Sequence, residues 1–135
     1  TTTWKGNMQF ESTNPSGDVI SIDAGPENGG DGKGLRPKAL MLSALAGCTG
    51  LDVASLMEKM QLEVADFNIE TSGELIEEHP KTYHKVKVDY HFYGNNLDEK
   101  KLEKAVNLSV EKYCGVMEMF RQFAKVEVAI FYHKI

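Results

Sequence analysis

Residues 37–60 constrain this chain more than any other segment. Pro37 suits the first position of a helix, where its missing N–H would be unpaired anyway. Leu40, Met41, Leu42, Leu45, Cys48, Leu51, Leu56 and Met57 follow, and they do not fall on one stripe. They cover most of a helical surface, and a helix apolar all round has to be buried on most sides. The chain has 135 residues, enough for one domain over 1–135 with a real core. It is short of what is needed to surround such a helix, so a second subunit is expected to help cover it. Gly47 and Gly50 lower helix propensity and are expected to let another backbone approach near Cys48.

The rest of the chain reads as strands and two further helices. Residues 3–12 alternate Trp4, Met8 and Phe10 against Lys5, Asn7, Gln9 and Glu11, which is strand period. Asn14-Pro15-Ser16-Gly17 is a turn signal, and 19–23 is the expected hairpin partner. Residues 24–34 are Gly-rich and polar and read as a mobile loop. Residues 64–76 form a strand with Phe67, Ile69 and Thr71 on one face. In 83–93, Val86, Val88, Tyr90 and Phe92 face one way, and Lys85, Lys87, Asp89 and His91 the other. Asn96, with Glu99 three residues on, predicts a helix cap. Leu102, Val106, Ser109, Val110 and Tyr113 then give a core stripe that Gly115 ends. A short helix over 116–123 and a strand over 125–132 close the chain. The fold class is α+β, in the order ββ-α-ββ-α-α-β.

Several function classes are disfavoured. A formal net charge of −5 with dispersed Lys and Arg does not suit a nucleic-acid binder. The longest apolar stretch, 39–51, carries Ser43, Cys48 and Thr49, and is read as core rather than as a bilayer span. No basic start followed by an apolar run marks a signal peptide, so a cytoplasmic location is the default expectation. The Gly29–Gly34 segment lacks the glycine four residues before its Gly-Lys pair, and has Gly34 where a phosphate loop needs Ser or Thr. His79, His84, His91 and His133 show no metal-ligand spacing and read as surface or edge-strand residues.

The chain has two cysteines, too few for a secreted disulfide scaffold. In a reducing compartment such thiols are either inert core residues or a working redox pair. Cys48 lies mid-helix in Ala46-Gly47-Cys48-Thr49-Gly50. Cys114 lies at the start of the last short helix, where the positive end of the helix dipole can lower a thiol pKa.

The element order, Pro37 eleven residues before one cysteine, and a second cysteine opening a short helix 66 residues later resemble the OsmC/Ohr family. These are the osmotically inducible and organic hydroperoxide resistance proteins of bacteria. Ala46-Gly47-Cys48 and Glu111-Lys112-Tyr113-Cys114 look particularly like its OsmC-like branch. The resemblance implies an intertwined homodimer, with the two central helices crossing at its middle and active sites at the subunit interface. It implies a cysteine-based hydroperoxide reductase for organic or other small hydroperoxides, acting in oxidative stress defence. Cys48 would attack the peroxide, Cys114 would close a disulfide, and a dithiol reductant would restore the pair. No metal, flavin or haem cofactor is implied, and no nucleic acid or membrane partner.

One residue departs from the pattern. In the organic-hydroperoxide members a Glu follows the helix-starting Pro and pairs with an Arg that polarises the peroxide. This chain has Lys38 there, with Arg36 just before Pro37 and Lys33 in the preceding loop; any of the three is a candidate cation, and beside one Cys48 is expected below the free-thiol value of about 8.5. An alternative therefore stands: a non-catalytic OsmC-like protein that binds a hydrophobic small molecule in the dimer cleft. Lys38 favours that alternative, and the intact cysteine pair favours the peroxidase.

Overall fold

The computed structural model describes residues 1–135. It divides into two compact units, Thr1–Met41 and Leu42–Ile135. The first unit carries β1 (Thr2–Gly6), β2 (Gln9–Thr13) and β3 (Val19–Ile22), an antiparallel sheet in sequence order. The single strand expected over 3–12 is thus two strands. Asn7 takes the left-handed conformation at φ 48°, following Gly6 at φ 104°, and reverses the chain. Trp4 is opposite Phe10, so the apolar alternation keeps its phase across the turn and hides it.

The loop after β3 is built around a buried carboxylate rather than left loose. Asp23 accepts from the backbone N–H groups of Ala24 (2.8 Å), Lys33 (3.1 Å) and Asp31 (3.2 Å). These donors, Lys33 foremost, hold its carboxyl below the ordinary range against the opposing effect of burial. Gly30 and Gly34 fit here because a Cβ would strike backbone atoms, at 1.9 Å and 2.8 Å.

The second unit contains a sheet in the order β4-β5-β6, from β4 (Asp66–Leu75), β5 (Tyr83–Tyr93) and β6 (Lys125–His133). β4 and β5 are antiparallel. β5 and β6 are parallel, which requires a crossover. That crossover consists of α2 (Glu99–Leu108), a π-helical turn (Ser109–Tyr113) and α3 (Gly115–Arg121). Asp98 caps α2, its Oδ1 accepting from Lys101 N at 3.1 Å, so the cap lies two residues past Asn96. Val86, Val88, Tyr90 and Phe92 on β5 are buried as their alternation requires, with Leu102, Val106 and Val110 packed over them. Tyr113, expected in that stripe, is 51% exposed because the π turn advances the register before it. The first three elements being strands, the order is βββ-α-ββ-α-α-β.

α1 (Pro37–Lys59) is continuous, and Leu45, Thr49 and Val53 are its fully buried residues. Leu51 is 75% exposed, so one chain covers a single strip of this helix rather than most of it. Its 23 residues are, by length and composition alone, long and apolar enough to cross a membrane, a test that the core helix of a soluble protein also passes. The glycines do not admit a neighbouring backbone within this chain. A Cβ on Gly50 would meet the Ile69 side chain at 3.3 Å, and Gly47 faces open space.

Candidate functional site

The middle of α1 and the junction between the π turn and α3 bring the two cysteines together. Cys48 is half-buried and packs on the core cluster that contains Cys114. Both are free thiols, and the Cys48 thiol acts as a hydrogen-bond partner of Cys114. Cys114 is 4% exposed. Its backbone leaves the helical region (φ −78°, ψ 101°) and it forms the N-cap of α3, its Sγ accepting from Met117 N at 3.3 Å.

The expected lowering of the Cys114 pKa is reversed. Burial and the facing Cys48 thiol push it up to about 12, and the Met117 N–H opposes them without winning. The cap interaction is present, but desolvation outweighs it. Cys114 is held as a thiol, and Cys48 is the more accessible sulfur.

A polar cluster that sequence reasoning missed lies beside the thiols. Thr49 Oγ1 is 2.7 Å from Tyr90 Oη and 2.7 Å from Ser109 Oγ, and Ser109 Oγ donates to Asp52 Oδ2 at 2.9 Å. Thr49, Tyr90 and Ser109 are fully buried. The available signal was two hydroxyl residues, Thr49 and Ser109, standing inside apolar stripes. Burial pushes the Tyr90 phenol up to about 12, so it stays a donor. Asp52 also borders an open cavity of about 320 Å³ with Ser55, Leu56, Lys59 and Tyr113.

The cationic candidates belong to the first unit. Arg36 stands one residue before α1 and donates through Nη1 to Gly34 O at 3.0 Å. The Lys33 backbone N–H is committed to Asp23. His91 is on the central strand rather than an edge, its Nδ1 2.9 Å from His133 Nε2.

Comparison with known proteins gives a consistent picture. A family model described as OsmC-like protein matches residues 30–129. Protein YhfA of Escherichia coli strain K12 is 30% identical over 123 residues, covering 91% of this chain and 89% of that one. A crystal structure of a hypothetical protein from Aquifex aeolicus VF5 superposes with a TM-score of 0.86 at 31% identity, over 100% of this chain and 95% of that one. An organic hydroperoxide resistance protein OsmC from Legionella pneumophila shares the fold, with a TM-score of 0.70 at 18% identity, over 97% of this chain and 96% of that one.

Proposed function

The chain belongs to the OsmC-like protein family, and from that premise we propose that it is a thiol-dependent peroxidase reducing organic or other small hydroperoxides through Cys48 and Cys114. The observation that carries this reading is the pairing of an accessible thiol with a buried one in direct contact. An inert core cysteine needs no thiol partner.

The chemistry follows from that asymmetry. The Cys48 thiolate attacks the terminal peroxide oxygen. An S–O bond forms, the O–O bond breaks, and the alkoxide leaves as an alcohol after taking a proton. The resulting sulfenic acid is attacked by Cys114, which loses its proton as the S–S bond forms and water departs. A dithiol reductant then restores both thiols by exchange. Arg36 supplies positive charge in this reading, in place of the Glu–Arg clamp that Lys38 interrupts. The assembly is a homodimer, whose partner helix covers the exposed side of α1, and the setting is the reducing cytoplasm. Lys38 favours the second reading, a non-catalytic protein that binds a hydrophobic small molecule in the dimer cleft.

Stoichiometric cumene hydroperoxide tests the proposal. It is expected to remove two free thiols per chain in the wild type. Cys48→Ser should consume no peroxide. Cys114→Ser should react once and leave a sulfenic acid on Cys48 that dimedone traps. Absence of both the adduct and the wild-type disulfide would replace the peroxidase with the binding protein.

A further inference from the structure

The Tyr90–Thr49–Ser109–Asp52 cluster has a direction that proton counting fixes. Each hydroxyl owns one proton, and a carboxylate only accepts. Ser109 therefore gives its proton to Asp52 at 2.9 Å, the Thr49 carbonyl at 3.5 Å being the poorer acceptor. The Ser109 proton being committed, Thr49 has to donate to Ser109, and Tyr90 to Thr49. Asp52 thus orders three buried hydroxyls from one end.

The position of the chain gives that order a consequence. Thr49 directly follows Cys48, and Asp52 lies one turn further along α1. Ser109 opens the π turn, and its carbonyl accepts the Cys114 N–H at 2.8 Å, the bond that closes the turn. The Arg121 guanidinium donates to the carbonyl of Val110, holding α3 to the same turn. Two residues on α1 and one at the head of the Cys114 turn are therefore joined by hydrogen bonds, with Thr49 and Ser109 fully buried and Asp52 partly so. Tyr90 anchors them to the central strand. Removing the acceptor at the end leaves Ser109 to turn its proton elsewhere, and each bond behind it loses its reason to point as it does.

We propose that Asp52 is a positioning residue which, through Ser109 and Thr49, fixes the register between the Cys48 segment of α1 and the turn that carries Cys114. The inference deepens the redox-pair reading and rests on it for its purpose, but its geometry is testable without peroxide. Dibromobimane becomes fluorescent when it bridges two neighbouring thiols. Each thiol loses a proton and displaces one bromide, so two C–S bonds replace two C–Br bonds. The readout is the rate of the second, ring-closing alkylation.

Wild-type protein is expected to close rapidly. Asp52→Ala and Ser109→Ala should slow closure about tenfold, the effect of losing one buried hydrogen bond of roughly 1.4 kcal/mol. Asp52→Asn retains an acceptor oxygen and should stay within about threefold of wild type, a rescue that a general packing defect would not give. Circular dichroism keeps unfolded variants out of the comparison, and Ser109→Ala, which loses one atom, serves if Asp52→Ala does not fold. Equal closure rates in all folded variants, slow closure in Asp52→Asn equal to Asp52→Ala, or no bridging even in the wild type would each overturn the proposal. Bridging with the expected ranking, but no peroxide consumption, would sink the peroxidase reading and leave this one standing.

Discussion

Cys114 is where two elementary effects oppose each other. Its thiol caps α3, accepting the Met117 N–H, and that favours the thiolate. Burial disfavours it more, and the net result is a pKa pushed up to about 12. The consequence for stability has a definite sign. Below the unfolded value both states hold the proton and pH has no effect through this group. As pH rises past about 9, the unfolded chain releases its proton while the folded chain keeps it, so stability falls until the folded thiol also ionises near 12. The fall from this one group is at most about 1.4 kcal/mol per pH unit. Tyr90, likewise pushed up by burial, adds to the same limb at higher pH. Urea unfolding of the reduced protein at pH 8, 9 and 10 should show a declining midpoint, and Cys114→Ser should decline less steeply. Parallel slopes for the two proteins would contradict the buried-thiol account.

At the scale of elements, Asp23 does for the 24–34 loop what a hydrophobic core does for a helix. One carboxylate satisfies three backbone N–H groups drawn from across the loop. Asp23→Ala removes that common acceptor, and amide hydrogen exchange at Asp31 and Lys33 should accelerate about tenfold or more. Unchanged protection at both amides would mean that the turns hold without it. This loop also marks the boundary of what the sequence discloses. Composition reads it as mobile, because Gly and polar residues suit a loose segment. The organising bond depends on one acid at the strand end, which composition does not weigh. By contrast, the β5 alternation was legible outright, since period-two burial leaves no other reading of Val86, Val88, Tyr90 and Phe92. The nearness of Cys48 and Cys114, though not their role, was legible through spacing and family likeness. The Tyr90–Thr49–Ser109–Asp52 cluster was not, because Thr49 and Ser109 lie 60 residues apart and meet only when α1 packs on the π turn. A π turn has no sequence signature of its own, and it is also what carried Tyr113 out of the expected core stripe.

At the scale of the whole molecule, the question is what covers α1. The second unit buries Leu45, Thr49 and Val53 on one strip of the helix and anchors it to β4 through Thr71 Oγ1, which donates to Leu42 O at 3.3 Å. Leu51 lies outside that strip, and Gly47 faces open space. Three coverings are conceivable for such a face: water, lipid or protein. Water is disfavoured, because a Leu left exposed forgoes roughly 2 kcal/mol of burial. Lipid is disfavoured by Asp52, since a carboxylate at the centre of a bilayer span costs about 3 kcal/mol. A second copy of the same helix remains, and it would make the assembly isologous, each Leu51 packing near its symmetry mate. The expected state is a homodimer with no stable folded monomer, as obligate dimers often behave. Analytical ultracentrifugation at micromolar concentration should give a single species of twice the chain mass. Leu51→Glu would place a charge on each side of that contact, and should yield monomer or unfolded chain, whereas the same change at exposed Met119 should leave the dimer intact. A wild-type monomer with full helical circular dichroism, or a Leu51→Glu dimer as tight as wild type, would show that α1 is covered in some other way.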